Sequence, residues 1–293
     1  DTTLMASLKE LRNRISSISS TMQITSAMKM VSAAKLKKAQ DAIQDLRPYA
    51  DKLREILGNI SGSIEQTEGS FTEVREVKKV LLVLITSNRG LCGAFNANII
   101  KLGNRAISEH QAQGREVELM VIGKKAYDGF KKSKLEIVGN HSEVFNALTF
   151  DGVAEVAKEI MEGFSTGRYD RVELFYNHFK NAGLQLPTQE AYLPVEMEAD
   201  EEVGGMTKDY IFEPGKEEIL EDLIPDTLKT QLFKAVLDSN ASEHGARMTA
   251  MHKATDNASE LQRELKLDYN KARQAAITNE ILEIVGGAEA LNS

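Results

Sequence analysis

Tryptophan is absent from this chain of 293 residues, aromatic residues make up only 6% of it, and it holds one cysteine and five prolines. So few aromatics suit long helices better than an aromatic-rich barrel or sandwich. A single cysteine excludes an internal disulfide framework and reads as a reducing compartment. No apolar run approaches the length of a membrane span, the longest aliphatic run of the central region being Val80 to Ile85. No secretory signal is visible, and Met5 in Met-Ala-Ser-Leu-Lys-Glu reads as a natural start of bacterial style, with 1–4 as an extension.

Glycine and proline are missing where it matters most. None occurs from Asp1 to Arg47, and only Gly245 interrupts the stretch from Asp226 to Val285. Both ends therefore read as unbroken helices spanning about 70 to 90 Å at the rise of an α-helix. Leu4, Leu8, Leu11, Ile15, Ile18, Met22 and Thr25 alternate steps of four and three, as do Leu237, Ala241, His244, Met248, Met251, Thr255 and Ala258. Leu261, Leu265, Ala272, Ile277 and Ile281 are expected to continue the second face. A 3.5-residue period implies a left-handed supercoil. With a whole domain between the two stretches, the pair is expected to run antiparallel.

Between the helices the period changes. Lys79–Thr86, Glu116–Ile122 and Arg171–Phe179 read as strands, with helices over Asn96–Gln113, Lys124–Ser133 and Phe150–Gly163, the last with Asp151 as its cap. Leu184 to Val195 carries Pro187 and Pro194 and reads as an edge strand or a connection. Strands alternating with helices imply a largely parallel, open sheet.

Acidic residues are missing between Glu10 and Asp41, where Arg12, Arg14, Lys29, Lys35, Lys37 and Lys38 lie. The net charge is +4 over 1–57, −10 over 58–225 and −2 over 226–293. The basic window is either a solvated helix face or a surface that meets acidic partners. It has no aromatic side chain to stack on bases, which argues against single-stranded nucleic acid. Met22, Met28, Met30, Met248 and Met251 are either filler of an irregular seam or adaptable surface residues.

Catalytic signals fail one by one. The loop after the first strand, Thr86 to Asn96, is where an α/β domain binds nucleotides, yet it has neither Gly-Lys-Ser/Thr nor GxGxxG. Cys92 in that loop, close to Arg89, is either a small residue filling a tight turn or a nucleophile near a helix N-terminus. The five histidines show no metal spacing, and Glu280 and Glu283 read as solvated or partner-facing rather than an acid/base pair.

Four motifs in register carry a resemblance: Ile24-Thr25-Ser26-Ala27-Met28-Lys29-Met30-Val31, Arg89-Gly90-Leu91-Cys92-Gly93, Ala246-Arg247-Met248-Thr249-Ala250-Met251, and Asn270-Lys271-Ala272-Arg273-Gln274-Ala275-Ala276-Ile277-Thr278. Together they resemble the gamma subunit family of F-type ATP synthases. The resemblance implies an α/β fold: a long antiparallel left-handed coiled coil of the N- and C-terminal helices plus a central open-sheet, Rossmann-like domain. The domains would be an axle helix over 1–60, a base domain over 74–200, and a returning axle helix over 210–293. It implies a rotor shaft that couples proton-driven rotation of a c ring to ATP synthesis or hydrolysis at beta subunits, with no catalytic residue, cofactor, metal or nucleotide of its own.

By the same resemblance, one copy would sit within a ring of alpha and beta subunits, beside an epsilon subunit and the c ring. That places it peripherally on the cytoplasmic face of a bacterial plasma membrane, with the mitochondrial inner membrane as the alternative. Met28, Lys29, Arg89, Cys92, Arg247, Gln274 and Thr278 resemble contacts with the beta subunits. Tyr210, Phe212 and Glu213 resemble the foot on the c ring and epsilon. The cysteine-bearing regulatory insert of chloroplast members is absent, so thiol control is not expected. The rival readings are a freestanding coiled-coil adaptor and a thiol-dependent α/β enzyme built on Cys92.

Overall fold

The computed structural model describes residues 2–61, 71–195 and 216–292. These fall into two compact units, one formed by 1–32 with 248–293 and the other by 33–247. The helices α1 (Thr2–Ser61) and α5 (Lys216–Asn292) contribute to both.

In the first unit the expected seam is present. Leu8, Leu11, Ile15, Ile18 and Met22 are half-buried and Thr25 is buried, while most residues between them are exposed. Two contacts fix the direction of pairing: Arg12 donates from Nη2 to the Tyr269 hydroxyl at 2.9 Å, and Thr25 Oγ1 lies 2.8 Å from Thr255 Oγ1. As one index rises the other falls, so the helices are antiparallel.

The returning seam departs from expectation beyond Ala258. Leu265 and Ala272 face inward, but Leu261, Ile277 and Ile281 are exposed. Gln262, Tyr269 and Ala276 take the intervening positions instead. The seam from Thr255 keeps strict alternation through Ala258, Gln262, Leu265, Tyr269, Ala272 and Ala276. Supercoil geometry thus outranks residue type, turning three large aliphatics to water and a glutamine inward.

Both long helices pass through a proline. Pro48 lies inside α1 and Pro225 inside α5. Each removes one backbone hydrogen bond and costs about 3 kcal/mol in a helix interior. Burial nearby offsets this: Leu53 follows Pro48, and Ile224, Leu228 and Leu232 flank Pro225, all buried. Each such side chain contributes about 2 kcal/mol.

The second unit is built on a five-stranded sheet in the order β3-β2-β1-β4-β5. β1 (Lys79–Ile85), β2 (Glu116–Ile122), β3 (Glu136–Asn140) and β4 (Arg171–Asn181) are parallel, and β5 (Leu184–Leu193) returns antiparallel on the edge. Strand alternation gives the sheet two apolar faces. Leu81, Val83 and Ile85 pack with α4 (Phe150–Ser165) and α5, burying Val153, Ile160, Phe164, Leu228, Leu232 and Val236. Val80, Leu82 and Leu84 pack with α2 (Phe95–Ala112) and α3 (Lys124–Phe130). The cap of α4 is Thr149 rather than Asp151, its hydroxyl accepting from the Gly152 amide at 3.3 Å. Asp151 sits in the first turn, where its charge suits the helix dipole.

Polar contacts hold α5 to this sheet, among them a bond from Gln231 Nε2 to Glu190 Oε1 at 2.7 Å. The Tyr192 hydroxyl donates to the Leu228 carbonyl at 2.9 Å, His178 Nδ1 lies 2.7 Å from Asp238 Oδ2, and the Ser242 hydroxyl donates to the Asn177 carbonyl at 2.9 Å. Farther along, Gly245 lets α5 meet the turn between β4 and β5, since a Cβ there would stand 3.2 Å from Ala182 Cα. The next two residues reach the carboxyl end of the sheet.

Candidate functional site

Strand order reverses between β1 and β4, and the crevice beyond their carboxyl ends is where open α/β sheets bind ligands. Here the chain fills that place with its own side chains. The Ser87 amide donates to Asn96 Oδ1 at 2.9 Å, the Ser87 hydroxyl donates to the Arg89 carbonyl at 2.6 Å, and Asn96 Nδ2 donates to Ser87 Oγ at 2.8 Å and approaches Cys92 Sγ at 3.2 Å. From β4, Asn177 Nδ2 donates to the Phe95 carbonyl at 3.2 Å. Cys92, Phe95 and Ala246 of α5 pack together over these groups as a small apolar cluster.

Cys92 is only 1% exposed. Burial pushes its thiol upward, against the opposing influence of the Ser87 hydrogen bond and the Arg247 charge. A protonated, enclosed sulfur is a poor nucleophile, so the enzyme reading loses its one candidate.

Arg247 also points inward, being 7% exposed. Its Nη1 donates to Glu243 Oε1 at 2.6 Å, one turn back on α5, and its Nη2 lies 3.3 Å from the carbonyl oxygens of both Arg89 and Gly90. Burial raises the Glu243 carboxyl above its ordinary range, and Arg247 chiefly opposes this. His244, 3.4 Å from Arg247 Nη1, is pushed down to about 4 by burial and by the charges of Arg247 and Lys35.

Above this cluster the loop turns sharply. Leu91 holds φ of 62°, the left-handed region, and is 67% exposed. Such a conformation costs a leucine about 1–2 kcal/mol. Arg89 is exposed beside it.

The other expected site residues lie on the helices. Met28 and Lys29 are half-buried, Lys29 continuing the α1 seam four residues after Thr25, while Gln274 and Thr278 are exposed. The Thr278 hydroxyl donates back to the Gln274 carbonyl at 2.9 Å. Arg89, Cys92 and Arg247 are brought together; Met28, Lys29, Gln274 and Thr278 belong to the other unit. Tyr210, Phe212 and Glu213 lie outside the described residues. Glu243, Leu91 and Asn177 were not anticipated, because their roles depend on contacts between distant parts of the chain. The positive φ of Leu91, between Gly90 and Cys92, leaves no mark in the sequence.

Comparison with known proteins matches the chain to a family. The profile described as ATP synthase matches residues 7–291. The ATP synthase gamma chain of Flavobacterium johnsoniae is 62% identical over 98% of this chain and the whole of its own length. The chain belongs to the ATP synthase gamma chain family. The gamma chain of Cytophaga hutchinsonii is 52% identical over 99% of this chain and all of its own. Among solved structures, a chain of the Euglena gracilis mitochondrial ATP synthase rotor superposes with a TM-score of 0.64 at 21% identity, covering 93% of this chain and 99% of its own. A chain of the Tetrahymena thermophila mitochondrial ATP synthase central stalk gives 0.57 at 26% identity, covering 79% of this chain and 99% of its own. Gamma-chain membership at this identity sets aside the freestanding adaptor, and the helical pair and open sheet agree with the fold of these relatives.

Proposed function

We propose that this chain is the central rotor shaft of a proton-translocating F-type ATP synthase. It turns with a c ring inside a ring of alpha and beta subunits, with an epsilon subunit beside it, and contributes no catalytic group. The observation that carries this reading is full-length identity of 62% to a gamma chain, joined to a switch-point crevice packed with the chain's own side chains. A chain so built acts mechanically: different faces of the helical pair favour different conformations of the surrounding beta subunits. Only such unequal contact shifts their equilibria.

The axle is assigned to 1–60 and 210–293 and the base to 74–200. Met28, Lys29, Gln274 and Thr278 are assigned to beta contact on the axle, and Arg89 on the base loop. Cys92 and Arg247 belong to the same contact surface, shaping it from beneath, since both are buried. Tyr210, Phe212 and Glu213 are assigned to the foot on the c ring and epsilon. Among the described residues no helix is long and apolar enough to cross a membrane, in keeping with peripheral association with the membrane complex. The cytoplasmic face is the face assigned.

The test is to purify the chain from its own membranes by a tag on the base domain and assay the product. Recovery of alpha, beta and epsilon subunits with ATP-driven proton pumping is expected. Recovery of the chain alone, without ATPase, overturns the reading. Met28→Lys places a second cation beside Lys29 and is expected to lower pumping per ATP hydrolysed. Unchanged pumping would remove Met28 from the contact.

A further inference from the structure

Arg247 spends its donors on its own chain. One arm of the guanidinium holds Glu243, and the other reaches two consecutive main-chain carbonyls of the loop, those of Arg89 and Gly90. The side chains of both partners are nearly buried, at 9% and 12% exposure, so water does not readily replace either contact. A flat, forked cation suits this task, because it can serve a carboxylate and a pair of carbonyls at once.

The loop so held carries an unfavourable residue. Leu91 combines a left-handed backbone with a side chain left in water. Neither feature helps the fold, and such strain persists where surrounding contacts over-determine it. Ser87, Asn96 and Cys92 fix the loop from below, while Arg247 fixes it from α5.

We propose that Arg247, held by Glu243, is a positioning residue: it latches the 87–93 loop to α5 and thereby keeps Leu91 presented for coupling between rotor and ring. This rests on the rotor reading above and assigns Arg247 an inward task, distinct from touching a beta subunit itself. Leu91 then supplies the apolar contact at the loop tip.

Cys92 is the chain's only cysteine and lies under the latch, so its thiol reports opening. On the isolated full chain, where no beta subunit covers the loop, the rate at which a maleimide labels Cys92 is measured, and in the assembled complex the protons pumped per ATP hydrolysed. Arg247→Ala is expected to raise labelling by about tenfold or more, as expected for loss of hydrogen bonds to a charged group, with loss of pumping per ATP while hydrolysis continues. Arg247→Lys, which keeps the charge and loses the fork, is expected to fall between. Leu91→Ala is expected to lower pumping per ATP and leave labelling unchanged. Labelling of Arg247→Ala indistinguishable from that of the unaltered chain overturns the latch, as does fast labelling with an unchanged pumping ratio. Leu91→Ala with full pumping overturns the role of the tip. Failure of the rotor reading shows separately, as absence of pumping by the unaltered complex, and leaves the labelling comparison intact.

Discussion

Thr25 and Thr255 share a hydrogen bond across the two long helices, their hydroxyl oxygens 2.8 Å apart. Each also stands within reach of a carbonyl of its own helix, Met22 at 3.1 Å and Met251 at 2.8 Å. Either hydroxyl therefore keeps a partner if the other is removed. Thr25→Val or Thr255→Val alone is expected to cost about 1 kcal/mol, and the double substitution less than the sum of the two. Thermal unfolding of the four chains in a double-mutant cycle measures this; strictly additive losses would show that the cross-helix bond contributes nothing.

Leu265 and Leu261 lie one turn apart on the same helix in opposite environments, at 6% and 43% exposure. Leu265→Ala is expected to lower stability by about 2–3 kcal/mol, and Leu261→Ala by less than about 1. Urea unfolding of the two variants checks the register of the seam. Equal losses would mean that Leu261 is buried too.

Gly123 adopts φ of 115°, and a Cβ there would lie 2.1 Å from the Thr86 carbonyl oxygen. The clash is with backbone, at the end of the central strand. Gly123→Ala is therefore expected to cost about 3 kcal/mol or more, or to abolish folding. Circular dichroism during thermal unfolding would detect it, and a midpoint within a few degrees of the original would be inconsistent with this packing.

His244 gives the acid response a sign. Its folded value, about 4, lies below its ordinary 6.5, so between these pH values the unfolded chain binds the proton that the folded chain excludes. Its contribution to stability is complete above about 6.5 and is lost as pH falls toward 4. Unfolding free energy measured by urea across this window is expected to fall toward acid less steeply in His244→Gln. An unchanged slope would mean that His244 takes up its proton within the fold.

How much of this was legible depends on the range of the contacts. The seam of α1 could be read because a 3.5-residue period is a local property, and β1 because an unbroken aliphatic run bounded by polar residues has few alternatives. β3 carries no strand signal of its own: Glu136–Asn140 is short, contains Gly139 and pairs with β2 across an irregularity at Leu119/Met120. Leu261 reads as inward from its residue type, whereas the supercoil sets the register and turns it to water. The base loop was recognised, but not its anchorage, since Arg247 lies more than 150 residues from the carbonyls it reaches.

Arg247 grips main-chain oxygens of the loop, and a carbonyl is the same chemical group whatever side chain its residue bears. Loop shape and loop identity are therefore separately adjustable. Arg89 and Leu91 can be exchanged for residues that suit a different counterpart without loosening the hold from α5. A single buried arginine thus lets the exposed chemistry of this surface vary while its outline stays fixed.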